Sequence, residues 1–146
     1  MIISQTSSDV ELPVRLRRVV VRLSRQLRRQ SASGLPPALD SALGVIGRRG
    51  PLTPSELARL EDVRRPTATR LVAMLECRGL VERAADPCDG RSYRVGVTLA
   101  GSTLLGETRT RRDAYLARAL AALHDDDRDT LEQALAVLER LVVERR

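Results

Sequence analysis

Leu12, Leu16, Val19, Val20, Leu23 and Leu27 recur at steps of three and four, with Arg15, Arg18, Arg22, Arg25 and Arg29 filling other faces. That spacing predicts an amphipathic helix ending near Gln30, ahead of Ser31-Ala32-Ser33-Gly34. Pro36-Pro37 suits the first turn of a second helix, with Leu39, Ala42, Leu43, Val45 and Ile46 inward and a break at Arg48-Arg49-Gly50-Pro51. Thr53-Pro54-Ser55-Glu56 carries a cap hydroxyl, a proline at the first helical position and a glutamate three residues after the cap. It predicts a short helix with Leu57, Ala58 and Leu60 inward. Glu61 to Arg65 reads as a tight connection, and Pro66 restarts a helix that turns Ala68, Leu71, Val72 and Leu75 inward and ends at Gly79. Two short helices joined by a brief turn, the second carrying Thr67, Thr69 and Arg70 outward, make a helix-turn-helix.

After Gly79 the apolar period changes from about 3.6 to 2. Residues 80–83 and 93–97 predict short strands, with Asp86-Pro87-Cys88-Asp89-Gly90-Arg91 as the turn of a charged hairpin tip. A long helix is expected from Thr98 or Leu99 through Leu123. A final one follows, its start charged by Asp125, Asp126, Asp127 and Asp129 and its stripe formed by Leu131, Leu135, Leu138, Leu141 and Val142. The expected fold is mainly α with a small β-hairpin wing, a winged helix-turn-helix. Residues 1–9 are read as a mobile N-terminus, 10–34 as a dimerisation helix, 35–97 as the DNA-binding lobe and 98–146 as C-terminal dimerisation helices. The middle unit is too small to cover the apolar stripes of the outer helices, so these are expected to pair with a second copy.

Composition narrows the function. All 25 cations among the 146 residues are arginine, against 19 acids, for a net charge of +6. Residues 1–47 hold seven Arg against three acids, 48–94 ten against seven, and 95–146 eight against nine. The positive charge therefore belongs to the first helix and the middle lobe, where a polyanion is expected to bind. With no Phe or Trp and two Tyr, stacking on single-stranded bases is not expected. One His and two Cys without metal-ligand spacing argue against a metal site or any cofactor, and two cysteines are no disulfide framework. No apolar run suits a membrane span, no nucleophile is set beside a base and no glycine-rich phosphate loop occurs. A cytoplasmic protein without enzymatic activity is expected.

Arg64, Arg65, Thr67, Thr69 and Arg70, grouped at one helix start, are the expected base-reading and phosphate-binding groups. Arginine pairs with guanine through two hydrogen bonds, and threonine offers a hydroxyl and a methyl. Thr53 and Ser55 admit two readings, as caps or as phosphate ligands at a helix N-terminus. Arg91 at the hairpin tip suits a minor-groove or phosphate contact, with Asp86 and Asp89 shaping the tip and a carboxylate holding Arg91.

Leu52 to Ala58, Thr67 to Glu76, Gly79 to Arg83, Asp86 to Arg91 and Val97-Thr98-Leu99 together resemble the MarR family of bacterial transcription regulators. The resemblance implies a homodimer that binds an inverted-repeat operator in duplex DNA, acts as a repressor and is released by a small effector or by oxidation. It also implies Asp–Arg pairing in the wing. Cys88 stands where many members carry a second wing arginine, with Arg94 as the substitute contact. The second helix lacks the family's frequent aromatic residue, so an anionic amphiphile is expected rather than an aromatic effector, with Arg17, Arg18 and Arg22 as cleft candidates. Cys88 beside Arg91 is the redox candidate, although the reading as an ordinary loop residue ranks above it, and Cys77 is expected to be partly buried and inert. His124 reads as a helix junction. A sequence-neutral, chromatin-type DNA-coating protein is the alternative.

Overall fold

The computed structural model describes residues 4–31 and 33–142, with the side chains of residues 4–10 left aside. Six helices and one hairpin follow in the order α1 Ser4–Ser31, α2 Pro37–Arg49, α3 Pro54–Leu60, α4 Arg65–Cys77, β1 Val81–Asp86, β2 Asp89–Val97, α5 Leu99–Ala121 and α6 Asp125–Val142. The chain divides into two compact units, residues 1–112 and 113–146.

The core of the first unit is aliphatic. Leu39, Leu43, Ile46, Leu57, Val72, Leu75 and Val95 are almost completely enclosed, with Ala42 and Ala68 where helices approach closely. Apart from Val95 on β2, these are the periodic positions of α2, α3 and α4, so the apolar stripes form one core that needs no aromatic residue. The capping box at α3 is complete. Thr53 Oγ1 accepts the Glu56 N–H at 3.2 Å, and Glu56 Oε2 accepts the Thr53 N–H at 2.8 Å. Asp62 takes the left-handed conformation, φ 52°, in the tight turn into α4. The far end of α4 closes on Gly79, φ 68°, with the Leu80 N–H bonded to Leu75 O at 3.0 Å and the Gly79 N–H to Glu76 O at 2.8 Å. Thr98 ties the start of α5 to that cap by donating its hydroxyl to Gly79 O at 2.6 Å. Gly101 lies so close to the Leu80 carbonyl that a β-carbon would overlap it.

Three expectations change. The mobile terminus was expected through Asp9, yet the backbone is helical from Ser4, while residues 1–3 lie outside the described residues. Polar residues extend a nucleated helix at little cost, which is why the absence of an apolar period there does not mark its end. The strands run on into the expected turn, leaving Pro87-Cys88 between them, and the register shifts between Ala85 and Asp86. Residues 82–85 are all exposed, so a half-buried alternation could not mark them. Cys77, expected to be partly buried, is exposed. It lies beyond Leu75, the last enclosed position of α4.

Candidate nucleic-acid interface

α4 buries Ala68, Val72 and Leu75, and this fixes what it presents outward. Arg64, Arg65, Thr67, Thr69 and Arg70 are all exposed over its first turns. Arg64 holds the N-cap position with extended backbone, φ −70° and ψ 147°, and no side chain caps the helix. Three guanidinium groups thus stand beside a helix end whose own partial charge is positive, an arrangement suited to phosphate and base edges. Thr69 donates its hydroxyl to Arg65 O at 3.0 Å, leaving its oxygen lone pairs and methyl for a partner.

The two residues at the α3 entry separate. Thr53 is committed to the capping box, and its hydroxyl also donates to Glu56 Oε2 at 3.0 Å. Ser55 is exposed beside it, and its hydroxyl has no hydrogen-bond partner among the described residues. Glu56 is held below the ordinary glutamate range, chiefly by the Thr53 N–H, against some loss of solvation, with help from the Thr53 hydroxyl and the Arg94 charge.

At the wing, Asp89 Oδ1 accepts the Arg91 backbone N–H at 3.0 Å, and Asp86 Oδ1 accepts the Cys88 N–H at 3.0 Å. Both carboxylates therefore shape the tip as Asx turns. No carboxylate holds the Arg91 side chain among the described residues, which corrects the expected pairing. Asp86 instead faces Arg94, with Nε 3.3 Å from Oδ2. Arg91 is exposed at the tip. Arg94, expected as a DNA contact, turns inward and donates from Nη1 to Pro51 O at 3.1 Å. A second brace runs from Arg83, 2.8 Å from Glu76 on α4 and 4.6 Å above the Tyr93 ring. Cys88 is exposed at the tip.

Arg17, Arg18 and Arg22 are exposed along α1, whereas a cleft of about 380 Å³ is lined by Arg25, Arg28, Arg29, Ser31, Leu35 and Asp40. Arg112 on α5 supports its floor, 2.6 Å from Asp40, and Arg111 donates to Ser31 O at 2.9 Å. His124 lies at the junction of the last two helices, its carbonyl accepting the Arg128 N–H at 3.1 Å.

A recognition helix, the short capped helix before it and a braced hairpin define a winged helix-turn-helix, a DNA-binding fold. The sequence model of the MarR family matches residues 33–92. An uncharacterized HTH-type transcriptional regulator of Mycobacterium bovis is 41% identical over 139 residues, covering 94% of this chain and 96% of that one. A crystal structure of a transcriptional regulator from Pseudomonas aeruginosa superposes with TM-score 0.80 at 35% identity over 94% of this chain and 98% of that one. A MarR family protein from Bacillus stearothermophilus does so with TM-score 0.83 at 25% identity, covering 96% and 99%. The chain belongs to the MarR family of DNA-binding transcription regulators. No helix among the described residues is long and apolar enough to cross a membrane.

Proposed function

We propose that the protein is a homodimeric repressor that reads an inverted repeat in duplex DNA in the cytoplasm. The observation that carries this reading is the exposed set Arg64, Arg65, Thr67, Thr69 and Arg70 on one helix start, with Arg91 on a shaped wing tip. The helix enters the major groove and Arg91 follows the adjacent minor groove or its phosphates, where a narrow groove concentrates negative potential. Ser55 is the phosphate ligand at the α3 entry, and Thr53 acts as its cap.

Dimerisation is supported by apolar residues left in solvent. Leu12 and Val19 of α1 are 67% and 62% exposed, and Leu141 of α6 is 68% exposed. No residue of α6 is buried. A second copy covers these stripes, and the two recognition helices of the dimer then face half-sites about 10 bp apart.

The effector is an anionic amphiphile that binds the cleft of Arg25, Arg28 and Arg29, with Arg17, Arg18 and Arg22 drawing it in along α1. It releases DNA by binding better to a dimer whose recognition helices have the wrong separation. Oxidation of exposed Cys88 is the second route of release.

Selection of bound duplexes from a random pool by the purified protein, with and without reductant, tests the reading. A recovered palindrome, bound at least about 10³-fold more tightly than unrelated DNA at physiological salt, is expected. Equal binding to all duplexes would replace the regulator with a DNA-coating protein.

A further inference from the structure

A two-stranded ribbon has marginal stability on its own, so whatever anchors the wing decides where its tip stands. Its backbone joins the lobe through the bridge of Leu52 with Val95, at 3.0 and 2.7 Å. Arg94 stands next to that bridge on β2, paired across the ribbon with Ala84. Its guanidinium meets three acceptors from three separate pieces of chain: Asp86 Oδ2 on β1 at 3.3 Å, Pro51 O ahead of the bridge at 3.1 Å, and Glu56 Oε2 in the first turn of α3 at 3.6 Å. Asp86 is the enclosed member, its side chain 7% exposed, and its two oxygens meet the guanidinium and the Cys88 N–H. Arg83 and Glu76 on the neighbouring face are 35% and 40% exposed, and Arg94 and Glu56 are 34% and 40% exposed, so both are surface pairs that contribute little. What sets Arg94 apart is enclosed Asp86 together with the Pro51 carbonyl.

We propose that Arg94 is a positioning residue that locks the wing base to the entry of α3 and thereby sets where Arg91 stands relative to the recognition helix. The lock joins the two DNA-facing parts of the lobe through one planar, forked donor, a shape that lysine cannot reproduce. This inference rests on the DNA reading for its consequence, though not for the lock itself.

The test uses the full-length protein, its Arg94→Ala, Arg91→Ala and doubly substituted forms, and a fluorescent duplex of the sequence that the wild type selects from a random pool. Without DNA, amides of residues 84–95 are expected to exchange at least about tenfold faster in Arg94→Ala, while those of α2 and α4 keep their rates. With DNA, Arg94→Ala is expected to weaken binding at an unchanged salt slope, whereas Arg91→Ala lowers the slope by about one. Arg91→Ala should cost about tenfold in the wild-type background and less than about threefold in Arg94→Ala, because a misplaced tip has little contact left to lose. A merely structural role would leave the two losses additive. Should Arg94→Ala not fold, Arg94→Lys keeps the charge and stem and is expected to loosen the wing in the same direction. Unchanged wing exchange, a slope lowered by Arg94→Ala, or additive losses would each overturn the proposal. If Arg91→Ala costs nothing in the wild type, the DNA reading of the wing fails, and the exchange rates alone decide the lock.

Discussion

The lobe formed by α2 to β2 and the last helix, α6, are built from similar aliphatic residues with opposite outcomes. Leu43 in the lobe is 1% exposed, while Leu135 on α6 is 48% exposed. Both lie on amphipathic stripes of comparable sharpness, so the stripe alone does not decide burial; the availability of a second apolar surface does. The lobe supplies that surface from its own three helices and β2. For α6 it has to come from elsewhere, which is why the reading of the molecule as half of a dimer rests there.

Leu43→Ala should destabilise the protein by about 2–5 kcal/mol, as buried leucine truncations do, and its thermal midpoint should fall accordingly. In an isolated protomer the same change at Leu135 would cost almost nothing, within about 0.5 kcal/mol. In a dimer, Leu135→Asp should instead yield the protomer mass in sedimentation and remove the concentration dependence of the midpoint. A Leu135→Asp protein that keeps both its mass and its midpoint would leave α6 without the proposed partner.

Next in size comes the exposed face of α4. Arg70→Ala should weaken binding to the selected duplex by about 1–3 kcal/mol and relax one base position, with no loss of thermal stability. Equal weakening on all duplexes would make Arg70 a phosphate contact, and no weakening would remove it from the interface.

How far these features were legible in the sequence follows from what each depends on. The capping box, the α4 face and the Gly79 cap are written in residues three or four apart, and all three stand as the spacing predicts. The partner of Asp86 is not local. Arg91 and Arg94 lie on the same strand, and only the bulge at Ala85–Asp86 and the approach of Pro51 decide that Arg94 turns inward. The tie of Arg112 to Asp40 joins residues 72 apart, for which periodicity offers no signal. The cleft at Arg25, Arg28 and Arg29 likewise depends on how α2 returns beside α1.

Smaller effects test the lobe's own joints. Thr53→Ala removes the hydroxyl half of the α3 capping box and should cost about 1 kcal/mol, read as a lower midpoint with DNA specificity retained. A loss of DNA affinity beyond the change in stability would restore the phosphate reading of Thr53.

The smallest effect belongs to Glu56, and its sign follows from the direction of its shift. The Thr53 N–H, the Thr53 hydroxyl and Arg94 favour the ionised form in the folded chain, so its folded value lies below the unfolded one of about 4.3. Its contribution is therefore complete above the unfolded value and is lost as pH falls through the folded value. Because the Glu56 side chain is 40% exposed, solvent screens the Arg94 part, and most of the effect comes from the backbone bond to Thr53. The midpoint difference between wild type and Glu56→Gln should be constant from about pH 7 to about pH 5 and shrink below that. A difference that grows on acidification would mean that the carboxylate is ionised more easily in the unfolded chain, and the joint between wing and α3 would then depend on Asp86 and Pro51 alone.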